Sequence, residues 1–120
     1  MNDNRFSIRF AKKADVEKVY ALIEEFAYFQ EMGNALTYNL DDFAKFGFGR
    51  SPLFQCLVVE DSKSNKLIGY AIFFFGFGAF SVKPRLILQN IYVKETYRGY
   101  GLGLKLFQKL FNIMEENQCA

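Results

Sequence analysis

The stretch Leu86-Ile-Leu-Gln-Asn-Ile-Tyr-Val93, followed after a short turn by Arg98-Gly-Tyr-Gly-Leu-Gly-Leu104, decides the fold. The first part is an apolar run of strand length, rich in branched residues. The second opens a run from Gly101 to Asn117 with Leu102, Leu106, Leu110, Ile113 and Met114 at helical spacing. Between them lie Gly99, Gly101 and Gly103, which let backbone approach a ligand closely and adopt positive φ. A strand, a glycine turn and a helix N-terminus together present unpaired N–H groups and a positive dipole end, which suits a phosphate. Arg98 adds a permanent positive charge.

Three phosphate motifs compete for this turn. The dinucleotide pattern G-x-G-x-x-G fails, because Leu104 stands where the third glycine would fall. The P-loop fails for want of a Gly-Lys-Ser/Thr. R-x-x-G-x-G, with Arg98, Gly101 and Gly103, fits. On the hexapeptide alone, glycines that only turn the chain into a helix remain an open alternative.

Working outward, Phe6 to Phe10 alternates as a short strand, and Asp15 to Phe29 places Val16, Val19, Tyr20, Ile23, Phe26 and Ala27 on one helical face. A short helix is expected over Leu40 to Phe46, with Asn39 or Thr37 as N-cap and Gly47-Phe48-Gly49 ending it. Phe54 to Glu60 and Leu67 to Phe75 read as an antiparallel hairpin around the polar turn Asp61 to Asn65. Gly76 to Lys83 reads as a loop that Pro84 closes, and Lys94 to Tyr100 as a turn. The predicted order is β-α-α-β-β-β-α, without internal repeat or linker. A strand and helix normally deliver a further parallel strand, so the chain is expected to be the N-terminal portion of a larger fold that lacks its C-terminal strands.

The 120 residues suit one domain, and 51% of them are hydrophobic, which excludes a disordered chain. Aromatics reach 18% without any Trp, enough to fill a core or line a groove. A net charge of +2 with scattered Lys and Arg argues against nucleic acid as partner. The apolar run Leu67 to Phe80 is too short to span a bilayer, and Met1 to Arg5 carries no secretory pattern, so no membrane association and a cytoplasmic location are expected. Histidine is absent, which removes the Ser-His and Cys-His pairs. Cys56 and Cys119 are far apart and form no metal cluster, so two buried reduced thiols and no metal are expected.

The R-x-x-G-x-G turn after Ile91-Tyr92-Val93 resembles the acetyl-coenzyme A motif of the GNAT N-acetyltransferase superfamily, and within it the diamine (spermidine/spermine and thialysine) acetyltransferase family. The resemblance covers nearly the whole chain, with landmarks at Ile8-Arg9, Phe43 to Gly49, Pro52-Leu53-Phe54, Cys56-Leu57-Val58, Ile68-Gly69-Tyr70-Ala71 and Leu88 to Gly103. It implies the acyl-CoA N-acyltransferase fold, an α+β (α/β) single domain with a mixed, mostly antiparallel sheet flanked by helices. It implies acetyl-CoA as co-substrate, no metal, a small-molecule amine as acceptor, and a homodimer.

The resemblance further implies that backbone groups of Ile91, Tyr92 and Val93 pair with the pantetheine arm. The pyrophosphate falls on Arg98, Gly99, Tyr100, Gly101, Leu102, Gly103 and Leu104. A backbone N–H near Val93 serves the oxyanion, and Phe29, Gln30, Gln89 and Asn90 fall at the acceptor site. The amine attacks the thioester directly, so no nucleophilic side chain is needed, and no catalytic side chain is assigned. The chain departs from the family at four acidic positions, where it has Gln30, Gly78, Gln89 and Asn90. Amides cannot neutralise an ammonium or accept its proton, which disfavours a polyamine and favours a less charged amine. Asp41, Asp42 and Glu31 are candidate replacement charges, or solvent-facing acids at a helix start. The family's tyrosine acid falls beyond Ala120, and Tyr92, Tyr97 and Tyr100 are not assigned its role. A non-catalytic coenzyme A-binding or dimerisation module, and a small domain whose glycine turn holds no ligand, are the other readings.

Overall fold

Cys56, Leu57, Val58 and Val59 are all buried, which a strand achieves only when both of its faces are covered. The computed structural model, which describes residues 5–30 and 39–119, shows how. The elements are β1 (Phe6–Phe10), α1 (Val16–Phe29), α2 (Leu40–Phe48), β2 (Gln55–Asp61), β3 (Lys66–Gly78), β4 (Lys83–Val93) and α3 (Leu102–Glu116). Single 3-10 turns at Lys13–Asp15 and Glu95–Tyr97 lead into α1 and out of β4. The four strands form one sheet in the order β1-β2-β3-β4, with each neighbouring pair antiparallel.

Cys56, Val58, Tyr70, Ile72 and Tyr92 point to one face and pack with Val19, Leu22 and Ile23 of α1 and Phe43 of α2. Leu57, Val59, Ile68, Ala71 and Phe73 point to the other face and meet Leu102, Leu106, Leu110 and Ile113 of α3. The result is three layers, helix on sheet on helix, and an α+β fold in the expected order. Among the described residues no helix is long and apolar enough to cross a membrane.

Several boundaries differ from the sequence reading. The loop read at Gly76 to Lys83 shrinks to residues 79–82, because β3 and β4 continue as a hairpin in which Gly76 pairs with Arg85 and Phe77 with Pro84. Pro84 does not stop an element. It sits near the start of a strand at the sheet edge, where a missing donor is tolerated. Helix α2 runs on through Gly47 to Phe48, and Gly47 leaves room for the Phe54 ring, whose Cζ would lie 2.1 Å from an added Cβ. Asn39 is the N-cap, accepting from the Asp42 N–H at 2.9 Å, and Thr37 lies outside the described residues. Met114 is half-buried rather than inward. Cys119 is likewise half-buried, whereas Cys56 is buried and its thiol is pushed up to about 12, chiefly by burial.

Two buried carboxylates hold the first strand to its neighbours. Asp61 accepts from Arg5 Nε at 3.0 Å, Arg5 Nη2 at 3.3 Å, the Lys63 N–H at 3.1 Å and Ser64 Oγ at 3.0 Å. Asp15 accepts from Arg9 Nη1 at 2.8 Å and the Lys12 N–H at 2.7 Å. The Arg5 hydrogen bonds hold the Asp61 carboxyl well below the usual carboxylate range, and the Arg9 hydrogen bonds lower that of Asp15. The unfolded chain therefore takes up protons near about pH 4 while the folded chain does not, so this stabilisation is present above about pH 4 and drains away as pH falls further. Replacing Asp61→Asn is expected to lower the urea midpoint at about pH 7 and to shrink its difference from the parent protein at about pH 3. A difference that is the same at both pH values would contradict this role.

Candidate functional site

Strand β4 is bonded to β3 on one side only. The Lys94 N–H donates to the Ile68 carbonyl at 2.9 Å. Backbone groups alternate along an antiparallel pair, so the N–H and C=O of Val93 and Ile91 turn away from β3 toward the free edge. The Val93 carbonyl accepts from Arg98 Nε at 3.1 Å on that side. The end of β4 thus offers an extended ligand a short row of main-chain donors and acceptors.

Helix α3 begins beside this edge. Its N-cap, Gly101, has φ +73°, and Gly99 has φ +101°. These left-handed conformations favour glycine. Among the described residues no side chain caps the helix. Its first in-helix bond runs from Lys105 N–H to Gly101 O at 3.1 Å, which leaves the N–H groups of Leu102, Gly103 and Leu104 for a ligand. An added Cβ at Gly99, Gly101 or Gly103 would meet none of the described residues within 4 Å, which leaves space above the turn.

A cleft of about 330 Å³ joins the two features. It is lined by Ile91, Tyr92 and Val93 of β4 and by Arg98, Gly99, Gly101, Leu102 and Gly103 of the turn, eight of the ten positions the sequence grouped there. The other two do not line it. The Tyr100 ring lies 5.0 Å from that of Phe6, with the Arg5 guanidinium 5.2 Å above it, and the Leu104 side chain is exposed. Sequence reasoning missed Tyr97 and Phe107, which also line the cleft. Phe107 lies four residues after Gly103, on the same helix face, and that spacing was available to find it.

Below the cleft, Glu25 of α1 accepts from the Tyr92 hydroxyl and from Lys94 Nζ, the latter at 2.8 Å. Burial opposes ionisation of Glu25, but the hydrogen bonds from Lys94 and Tyr92 outweigh it and hold the carboxyl below its ordinary value. Burial and the Glu25 contact push the Tyr92 phenol above its own. The arrangement braces β4 against α1 and occupies the Tyr92 hydroxyl.

A second pocket of about 400 Å³ opens on the α1–α2 face of the sheet. Gln89 and Asn90 both line it. Consecutive strand residues normally point to opposite faces. Here Leu88 pairs with Phe73 and Asn90 with Ile72, so Gln89 is an extra, bulged residue, which lets both amides reach one pocket. Phe29 and Gln30 are not brought to it. Both are exposed at the end of α1, although the Phe29 ring lies 6.5 Å from that of Tyr92. Gly78 sits at the far end of β3, and Asp41 and Asp42 are both exposed, with Asp42 also lining the pocket. Glu31 lies outside the described residues. Among the described residues no group of His, Cys, Asp and Glu is placed to hold a metal ion.

Comparison with known proteins agrees with this architecture. The chain is 34% identical over 119 residues to spermidine/spermine N(1)-acetyltransferase-like protein 1 of Homo sapiens, covering 95% of this chain but 17% of that protein. It is 28% identical to thialysine N-epsilon-acetyltransferase of Sus scrofa, covering 94% of this chain and 69% of the relative. The fold superimposes with a TM-score of 0.82 on an aminoglycoside acetyltransferase from an uncultured soil metagenomic sample, at 22% identity over all of this chain and 76% of that one. A possible acetyltransferase from Clostridium difficile 630 superimposes at 0.75, with 19% identity over 95% of this chain and 75% of that one. The profile of the acetyltransferase (GNAT) family matches residues 16–120, and the chain belongs to that family.

Proposed function

We propose that this chain transfers an acetyl group from acetyl-CoA to the primary amine of a small molecule. The observation that carries the reading is the continuity of the free β4 edge with the uncapped N-terminus of α3 in one cleft. The N–H groups of Leu102, Gly103 and Leu104, with Arg98 beside them, suit a pyrophosphate. The outward backbone groups of Ile91 and Val93 suit an extended amide-containing arm. The open space above Gly99, Gly101 and Gly103 accommodates it.

In this reading acetyl-CoA supplies an activated thioester. The chain supplies alignment of the thioester along β4 and an N–H donor at Val93 for the charge that develops on the carbonyl oxygen. The acceptor must first lose a proton to solvent, since an alkylammonium has a pKa near ~10.4; its N–C bond to the acetyl group then forms as the C–S bond breaks, and coenzyme A leaves as the thiol. The uncharged Gln89 and Asn90 favour a second reading, a module that binds coenzyme A without turnover.

Titration calorimetry with acetyl-CoA tests the cleft, and thiol release with an amine panel separates the two readings. Arg98→Ala is expected to weaken acetyl-CoA binding by about tenfold or more, because a hydrogen bond to a charged group contributes about 1.5–3 kcal/mol. Unchanged affinity would reject the pyrophosphate assignment. Gly101→Val forces a branched residue to φ +73°, at a cost of about 1–2 kcal/mol in folding stability. It is expected to lower the melting temperature and to weaken binding together, and a variant with both properties intact would show that the turn does not depend on glycine.

A further inference from the structure

We propose that the pocket on the α1–α2 face selects acceptor amines that carry a single positive charge on an apolar body, with Asp42 as counter-charge and Asn90 as the residue that positions the amine. This rests on the acetyltransferase reading, and it specifies the acceptor.

The walls of the pocket set the body of the ligand. Ile23 of α1, Phe43 and Phe46 of α2, Phe54 and Ile72 make them apolar and largely aromatic. The rings of Phe43 and Phe54 stack at 5.4 Å between centroids, and Gly47 leaves room for Phe54 to do so. Among the described residues no Lys or Arg lines this space, and Asp42 is the one carboxylate that does. It belongs to the first turn of α2. One cation can pair with it. A second or third cationic centre on the same ligand would be stripped of water against phenylalanine rings with no further counter-charge among the described residues, which is unfavourable.

Asn90 sets the position of the reacting nitrogen. Its Oδ1 is buried and has no hydrogen-bond partner among the described residues. A buried acceptor left unpaired is costly, and an amine N–H is a donor of the right kind. The amide also bears on protonation. A carboxylate at this position would hold the ammonium in its charged form, whereas a neutral oxygen favours that form less. The ammonium enters paired with Asp42; once it has given its proton to water, the neutral amine donates one N–H to Asn90 and its lone pair is free for attack. Asn90 is followed directly by Ile91, which lines the cleft assigned to acetyl-CoA, so the two spaces adjoin along β4.

The test is amine-binding calorimetry on the full chain with phenethylamine, hexylamine and spermidine, with and without saturating coenzyme A. Both monoamines are expected to bind at least about tenfold more tightly than spermidine. Asp42→Asn is expected to weaken phenethylamine binding by about tenfold, while Asp41→Asn, on the same helix turn but outside the pocket, leaves it unchanged. Asn90→Asp is expected to shift the preference toward spermidine by about tenfold. Tighter binding of spermidine to the parent protein, or equal effects of Asp41→Asn and Asp42→Asn, would overturn the proposal. If Asn90→Asp fails to fold, the parent preference and the two aspartate variants decide. Absence of heat on adding coenzyme A would instead count against the acetyltransferase reading, and the amine titrations without coenzyme A still read the pocket alone.

Discussion

Strand β4 is paired on one side only, and its register against β3 organises both candidate spaces. From Asn90 to Val93 the alternation is regular, so Ile91 and Val93 pack toward α3 while Tyr92 packs toward α1. Their backbone groups alternate in the plane of the sheet as well, which leaves the polar groups of Ile91 and Val93 at the open edge. One extra residue, Gln89, breaks the alternation and brings two amides to the same side. A strand without the bulge would send one of these amides to the α3 face. The Glu25 contacts to Tyr92 and Lys94 hold this segment against α1, so the edge and the bulge keep their places relative to both helical layers.

The turn into α3 adds the second constraint. A helix that follows a strand needs its direction reversed within a few residues, and positive φ at Gly99 and Gly101 accomplishes this. The same geometry leaves the first turn of the helix without a side-chain cap. A capped helix would be more stable by about 1 kcal/mol, and the uncapped one keeps its N–H groups available. Stability is recovered along the rest of α3, where Leu106 and Leu110 are buried among Leu57, Ile68 and Phe73. Folding and binding demands are therefore met by different turns of the same helix.

Much of this was legible in the sequence because it is written in local periodicity. The 3.6-residue spacing of Leu102, Leu106, Leu110 and Ile113 and the glycine turn are local signals, and so is a cap before α2, which the sequence narrows to Asn39 or Thr37. The β3–β4 loop is shorter than the sequence indicates because Gly76 and Pro84 are ordinarily loop residues, and only pairing across the sheet keeps them in strands. The bulge at Gln89 has no local signal at all, since it exists only relative to Phe73 and Ile72 on the neighbouring strand. Asp42 reads in sequence as an ordinary acid at a helix start, and its place in a pocket depends on how α2 packs against the sheet. Tyr100 and Leu104 belong to the glycine motif by position, but their side chains turn away from the cleft.

The central claim is that one continuous cleft, from the free edge of β4 to the first turn of α3, holds a coenzyme A-like ligand by main-chain groups. Backbone amide chemical-shift mapping on the isotopically labelled chain, titrated with coenzyme A, tests it most directly. The expected result is a contiguous set of large shifts at Ile91 to Val93 and at Leu102 to Leu104, with small shifts along β1 and β2. Shifts confined to the α1–α2 face, or none in the first turn of α3, would contradict the account.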